Sequence, residues 1–439
     1  MKKILVLGAG LVSKPLVHYL LDKGYAVKIA SRTASKAEAL IQGYANGSAE
    51  ALNVQDDAHL EKLVAECDLA VSLLPYIYHV KIAKLCIQYK KNMVTTSYVS
   101  DAMRALDEEA KKAGIIILNE IGLDPGIDHM SAMKVIHGVE NKGGKVTSFR
   151  SYCGGLPALQ SNTNPFGYKF SWSPRGVIMA GKNNGQFLQD GEVVFIPSKN
   201  LFREYELLDV EGLGTYEAYT NRNSLPYQEI YGLKDAHTVF RGTLRNIGWC
   251  ETMKKAQELG LFDDTPREDL RGLTYQEMMT KLIDEEESYD IVEETAMYLN
   301  LETYSTVIKK FAWLGLFDDT PLPDENNVMD MFCALLQKKL AMASDDADLI
   351  ILYHQFIAEY PDKQEFLTST LIQTGEPGGE SAMSRTVSLP AAIGVAMILE
   401  EKITLKGVHI PVVPGIYEPV LKELEQLGIA CKECVTPLE

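Results

Sequence analysis

Three features of the sequence predict an α/β protein. Short apolar runs alternate with helical patterns over the first 120 residues, a glycine-rich turn follows the first run, and a mostly helical stretch covers 251–343. The first run, Ile4–Leu7, reads as a strand, followed by a helix over Val12–Lys23 and a strand over Ala26–Ser31. A helix from Ala34 to about Ile41, a strand near Ala51–Val54 and a helix over Leu60–Glu66 come next. Leu69–Leu73 is strand-like, Val80–Lys90 helical, and Met93–Thr96 and Ile115–Leu118 are strands around a helix at Met103–Ala113. Strands alternating with helices imply parallel βαβ units and a doubly wound sheet.

The pattern changes after Gly126. Residues 127–250 carry β-rich pieces, Val146–Tyr152, Glu192–Ile196 and Tyr205–Leu208, separated by Gly, Pro and Asn segments. In the helical stretch an octapeptide, Leu259-Gly-Leu-Phe-Asp-Asp-Thr-Pro266, recurs at Leu314–Pro321. Gly after Leu ends a helix and Asp-Asp-Thr-Pro starts a new turn, so the copies read as two corners of a helical scaffold. Leu349–Ile357 and Glu365–Ile372 flank Pro361-Asp362 as a hairpin. Ser381–Leu399 reads as a helix interrupted at Pro390, and Tyr417–Leu427 as a helix ending at Gly428. These terminal segments are expected to return to the first domain.

The chain has 439 residues, enough for two or three domains at about 150 residues each. Its formal charge of −17 argues against nucleic-acid or anionic-membrane binding, which needs a clustered basic surface. No membrane span is expected, since no run of about eighteen apolar residues is evident. The N-terminus enters a strand at once, without a signal-peptide layout. Seven scattered cysteines suit reduced thiols in a cytoplasm. Cys431 and Cys434 form a CxxC without a second ligand pair, and no HExxH or GxSxG is present, so no metal and no serine hydrolase is expected.

The strongest local motif is Gly8-Ala9-Gly10-Leu11-Val12-Ser13, set between strand and helix as a dinucleotide fingerprint requires. Gly8 allows the tight turn, Gly10 lets backbone approach a pyrophosphate, and the helix N-terminus favours the anion. Ser13 stands at the third glycine position, where a small residue still permits close packing. Some twenty residues on, an NAD-selective protein carries a carboxylate. Here Ser31-Arg32-Thr33 takes its place, which predicts NADP(H). Asn53-Val54, Leu74-Pro75 and Thr95-Thr96 are placed at the ends of the next three strands, where such sheets bind ligands.

Candidate substrate groups are Ser97-Tyr98, Asp124-Pro125-Gly126, Asn221-Arg222 and Thr243-Leu244-Arg245. Arg222 and Arg245 offer planar forks that match carboxylates. His79 either faces the cofactor or, by the preferred reading, plays a structural or capping part.

These residues, with Ser72–Tyr76, Thr95–Ser100, Asn119–His129, Tyr152–Pro157, Asn164–Gly176, Arg241–Arg245 and Ser381–Val387, resemble the saccharopine reductase family. The family is also called saccharopine dehydrogenase (NADP, L-glutamate-forming), and the resemblance covers nearly the whole chain. It implies an NAD(P)-binding Rossmann domain (1–126 with 385–439), a mixed α/β substrate-binding and dimerisation domain (127–250 with 344–384), and an inserted helical domain (251–343). It implies reductive condensation of 2-aminoadipate 6-semialdehyde with L-glutamate, using NADPH, to give saccharopine, as part of lysine metabolism, in a homodimer. By the same resemblance Gly8, Gly10, Leu11, Val12, Ser31, Arg32, Thr33, Asn53, Val54, Leu74, Pro75, Thr96, Ser97, Leu123, Asp124, Pro125 and Trp172 contact NADP. Ser97, Tyr98, Asp124, Arg222, Thr243, Leu244 and Arg245 contact saccharopine, and Asp124 and Tyr98 are the proton-transfer candidates. Asn53 departs from an Asp common at that position. The alternatives are a carboxynorspermidine-type reductase, whose cationic product needs no such arginines, and a non-catalytic NADPH sensor.

Overall fold

The computed structural model describes residues 1–285 and 288–438. The expected helical stretch 251–343 therefore excludes Glu286 and Glu287, and the expected C-terminal part of the Rossmann domain excludes Glu439. The chain forms two compact units: 1–146 with 357–375 and 379–439, and 147–356 with 376–378.

In the first unit, strands β1 (Lys3–Leu7), β2 (Ala26–Ser31), β3 (Gly47–Ala51), β4 (Leu69–Ser72), β5 (Asn92–Thr95) and β6 (Ile116–Leu118) join Gly407–His409 in one sheet. Its order is (407–409)-β6-β5-β4-β1-β2-β3, and every pair is parallel. The order reverses between β1 and β4, which makes their carboxyl ends the switch point where such sheets bind ligands. The central strands β1 and β4 are apolar except for Lys3 and Ser72 at their ends, because both faces are covered. Leu5 and Leu7 face a core with Leu60, Leu63 and Ile82. Helix α1 (Lys14–Asp22) buries Leu16, Val17, Leu20 and Leu21, one stripe at helical spacing.

Several expected elements move. The third strand lies at Gly47–Ala51, so Asn53 and Val54 follow it in a loop rather than ending it. Met103–Ala113 divides into Asp101–Arg104 and Asp107–Ala113; Asp107 Oδ1 accepts from Val408 N at 2.8 Å, beside the last sheet strand. The return of the terminal segments occurs: Ala382–Leu399 packs on α1, β4 and β5. It is one continuous helix despite Pro390, because packing on most sides holds it through the lost hydrogen bond. Its length and apolarity alone would suit a bilayer, but 83% of it is buried inside the protein. Residues 127–140, expected in a β-rich region, form a helix, Ile127–Glu140.

The second unit carries a sheet in the order (205–210)-(214–220)-(238–245)-(147–157)-(348–356). Gly185–Gln189 and Glu192–Ile196 form a hairpin. Its Asp190-Gly191 turn has φ of 50° and 85°, the positive pair that a tight two-residue turn needs. The helical stretch lies in this unit and shares a core with Tyr168 and Phe170. Both octapeptide copies are helix ends: Gly260 (φ 79°) follows Trp249–Glu258, and Gly315 (φ 100°) caps Thr306–Leu314.

Phe311 is fully buried in this helical core. Phe311→Ala is expected to cost about 3–5 kcal/mol of stability by leaving a cavity, read as a lower urea midpoint with unchanged slope.

Candidate active site

The glycine loop follows the carboxyl end of β1, and Gly8 N donates to Ala30 O of the neighbouring β2 at 2.9 Å. Gly8 has φ 114°, and a Cβ there would lie 3.1 Å from the Leu73 carbonyl oxygen, so only glycine fits. A Cβ on Gly10 would meet nothing within 4 Å, which leaves open space beside the backbone. Ser13 takes over part of the missing glycine's work. Its Oγ accepts from Gly10 N at 3.0 Å and donates to Gly8 O at 3.3 Å, tying the loop to the start of α1. The Val12 carbonyl accepts from Ser388 of the C-terminal helix. Leu11, Arg32 and Thr33 are exposed, and Ser31 ends β2 half-buried. This loop, with the helix N-terminus behind it and a guanidinium at the end of β2, fits a dinucleotide carrying an extra phosphate.

The remaining candidates of this unit follow the next strands. Asn53 is exposed and Val54 buried, and Asn53 Oδ1 accepts from Gln55 N at 3.1 Å. Leu74 and Pro75 lie just beyond β4, and Thr96 and Ser97 just beyond β5. Tyr98 and Asp124 are brought together: the tyrosine hydroxyl donates to Asp124 Oδ1 at 2.7 Å. Leu123 and Pro125 are buried on either side of Asp124. The loop closes tightly, with Gly122 N donating to Pro125 O at 2.9 Å. A Cβ on Gly126 (φ 149°) would overlap Gly122 at 2.0 Å.

Two buried groups hold these loops: Glu120, which is absent from the candidate residues read from sequence, and His79, for which a structural or capping part is the preferred reading and facing the cofactor the alternative. Glu120 is 5% exposed with φ 55°. Its Oε1 accepts from Val99 N at 2.8 Å, its Oε2 pairs with His129 Nε2 at 2.8 Å, and its own N–H donates to Ser97 O at 3.2 Å. His79 is buried at the start of the helix His79–Gln88 and pairs with Ser72 and Ser97. The preference for a structural part is right about its burial, yet the ring reaches a candidate site hydroxyl. The signal lay in its spacing, one residue past a short turn after β4. A positive-φ glutamate leaves no sequence signal.

In the second unit Arg222 is exposed with φ 58°, and its carbonyl accepts from Gln186 N at 2.9 Å. A non-glycine residue held there is strained, as residues at binding sites often are. Thr243, Leu244 and Arg245 lie on strand Thr238–Arg245, with Thr243 opposite Cys153. Arg245 is buried against Tyr168 and Trp249, its carbon Cζ 4.9 and 5.5 Å from their rings. Its Nη1 donates to Leu244 O at 2.7 Å, while Nε has no hydrogen-bond partner among the described residues. A buried guanidinium with an unused donor is suited to a carboxylate. Trp172 is half-buried against the helical core.

Residues 4–118 match the family described as "Saccharopine dehydrogenase NADP binding domain", and residues 122–429 match "Saccharopine dehydrogenase C-terminal domain". The chain belongs to the saccharopine dehydrogenase family. It is 39% identical to "Saccharopine dehydrogenase [NADP(+), L-glutamate-forming]" of Pyricularia oryzae, over 99% of both chains. The protein of the same name from Schizosaccharomyces pombe is 38% identical over 99% of both. The solved apo saccharopine dehydrogenase (L-Glu forming) of Saccharomyces cerevisiae superposes with a TM-score of 0.89 at 36% identity, covering 99% of this chain and 100% of that one. The expected family and the Rossmann-type nucleotide domain are thereby borne out.

Because Gly10 faces open space, Gly10→Val should fold normally yet fill the phosphate cradle of this saccharopine dehydrogenase family member. The expected result is an unchanged melting curve for the free protein and NADPH affinity at least tenfold weaker by fluorescence titration.

Proposed function

We propose that the protein is a saccharopine reductase, joining 2-aminoadipate 6-semialdehyde to L-glutamate with NADPH and running the reverse oxidation with NADP, within lysine metabolism through aminoadipate. The observation that carries this reading is the end-to-end similarity to L-glutamate-forming enzymes, 39% over 99% of the chain.

The chemistry divides among the residues. An aldehyde and an amine lose water to an imine, and bound NADPH supplies the hydride that reduces it. The glycine loop, Gly8 to Val12, holds the pyrophosphate, and Ser31, Arg32 and Thr33 hold the 2′-phosphate. Asn53, Val54, Leu74, Pro75, Thr96, Leu123, Pro125 and Trp172 complete the cofactor contacts. Saccharopine bears three carboxylates, which gives Arg222 and Arg245 their task, with Thr243 and Leu244 beside them. Tyr98 and Asp124, hydrogen-bonded to one another, move or hold the proton at the substrate nitrogen, and Ser97 binds next to them. The enzyme works as a homodimer in the cytoplasm, a compartment that suits its seven free cysteines.

The test is nicotinamide absorbance with NADP and saccharopine, beside NAD and beside carboxynorspermidine. Reduction of NADP that requires saccharopine supports the reading; reduction driven by the polyamine, or silence with both, overturns it. Arg32→Ala should raise the KM for NADP roughly tenfold, the worth of one charge-assisted hydrogen bond, and leave that for NAD unchanged.

A further inference from the structure

Four hydroxyl and imidazole groups line the carboxyl ends of β4 and β5. Ser72 ends β4, Thr95 ends β5, and both are fully buried; Ser97 follows β5 and is half-buried. His79 lies among them, with Nδ1 2.8 Å from Ser72 Oγ and Nε2 2.8 Å from Ser97 Oγ. Burial pushes the His79 pKa down to about 4, so the ring is neutral at neutral pH.

A neutral imidazole has one N–H donor and one acceptor nitrogen, and its partners decide which is which. Ser72 is the deciding partner. Its hydroxyl is sealed from water, and His79 Nδ1 is its hydrogen-bond partner in the structure. A buried donor left unused is costly, so the Ser72 hydroxyl donates to Nδ1. The proton of the ring then resides on Nε2. The competing donor, Thr95 Oγ1, lies 3.3 Å from Nε2. The Ser72 contact is the shorter, at 2.8 Å, and a neutral ring has one acceptor nitrogen, so the closer donor takes it. Nε2–H therefore donates to Ser97 Oγ and occupies one of its lone pairs.

We propose that His79 is a positioning residue: it turns the Ser97 hydroxyl into a fixed donor aimed at an oxygen acceptor of the bound ligand. The acceptor is an amide oxygen of the cofactor or a carboxylate oxygen of the substrate, and the inference rests on the reading of Ser97 as a site residue.

Two substitutions separate the two ends of the ring. His79→Gln places an amide near Nε2 and preserves the bond to Ser97; His79→Asn reaches only toward Ser72. His79→Asn should lower kcat/KM roughly tenfold, the worth of one hydrogen bond. His79→Gln should restore most of that loss, and in a Ser97→Ala background the two should be equal. A rise in KM for NADP alone identifies a cofactor oxygen, and a rise for saccharopine alone a substrate oxygen. Equal losses in the two variants, or a His79→Asn loss that persists without the Ser97 hydroxyl, overturn the proposal. A second readout needs no turnover. Nitrogen-15 imidazole NMR of the whole protein, assigned with His79→Gln, should show Nε2 protonated and Nδ1 bare at neutral pH. A protonated Nδ1 or a charged ring overturns the proposal, whether or not the protein oxidises saccharopine.

Discussion

The buried carboxylate of Glu120 is the group on which the candidate site depends. A carboxylate taken out of water must be paired or hydrogen-bonded on both oxygens, or its desolvation is not offset. Glu120 meets that demand with the Val99 N–H on one oxygen and the His129 ring on the other. In doing so it fastens the loop after β5 to the loop after β6. Tyr98 stands on the first loop and Asp124 on the second, so their 2.7 Å hydrogen bond inherits its geometry from this brace. The positive φ of Glu120 is part of the same arrangement, since it turns the backbone N–H back toward Ser97 O.

The rest of the first unit serves to bring loops to one edge. An all-parallel sheet puts every carboxyl end on the same side, and crossover helices cover both faces. The glycine loop, Arg32, Ser97 and Asp124 are far apart in sequence and share that edge for this reason. The C-terminal segment contributes to the same unit a strand beside β6 and a helix whose Ser388 hydroxyl reaches the Val12 carbonyl, among other elements. The glycine loop is thus held from behind by residues near the other end of the chain. In the second unit Arg245 is set among aromatic rings, where a guanidinium keeps its charge while part of its donor capacity stays open.

Much of this was legible in the sequence, and the exceptions have physical causes. The βαβ alternation was readable because fully buried parallel strands are apolar runs. Strand Gly47–Ala51 was misplaced because it is an edge strand, half-exposed and poor in large apolar residues. Leu52 and Val54, which drew the strand forward, are buried in the loop packing beside Leu60. Helix Ile127–Glu140 was missed because it is buried around most of its circumference and carries no amphipathic stripe. The hairpin strand Gly185–Gln189 also escaped, although Asp190-Gly191 is the turn pair that marks such hairpins. At the candidate site, the side chains proposed to meet ligands were readable from the glycine motif, from strand-end position and from the family resemblance. Of the groups that hold them, Glu120 acts through tertiary hydrogen bonds that no local pattern records, and His79 is marked only by its position after β4.

The central claim is that hydride and the glutamate nitrogen arrive at the same carbon. The direct test supplies nitrogen-15 L-glutamate, 2-aminoadipate 6-semialdehyde and NADPH deuterated at the transferable position, and weighs the product. The account predicts saccharopine carrying both labels. Deuterium found in an alcohol without the nitrogen label would show reduction of the free aldehyde and contradict it.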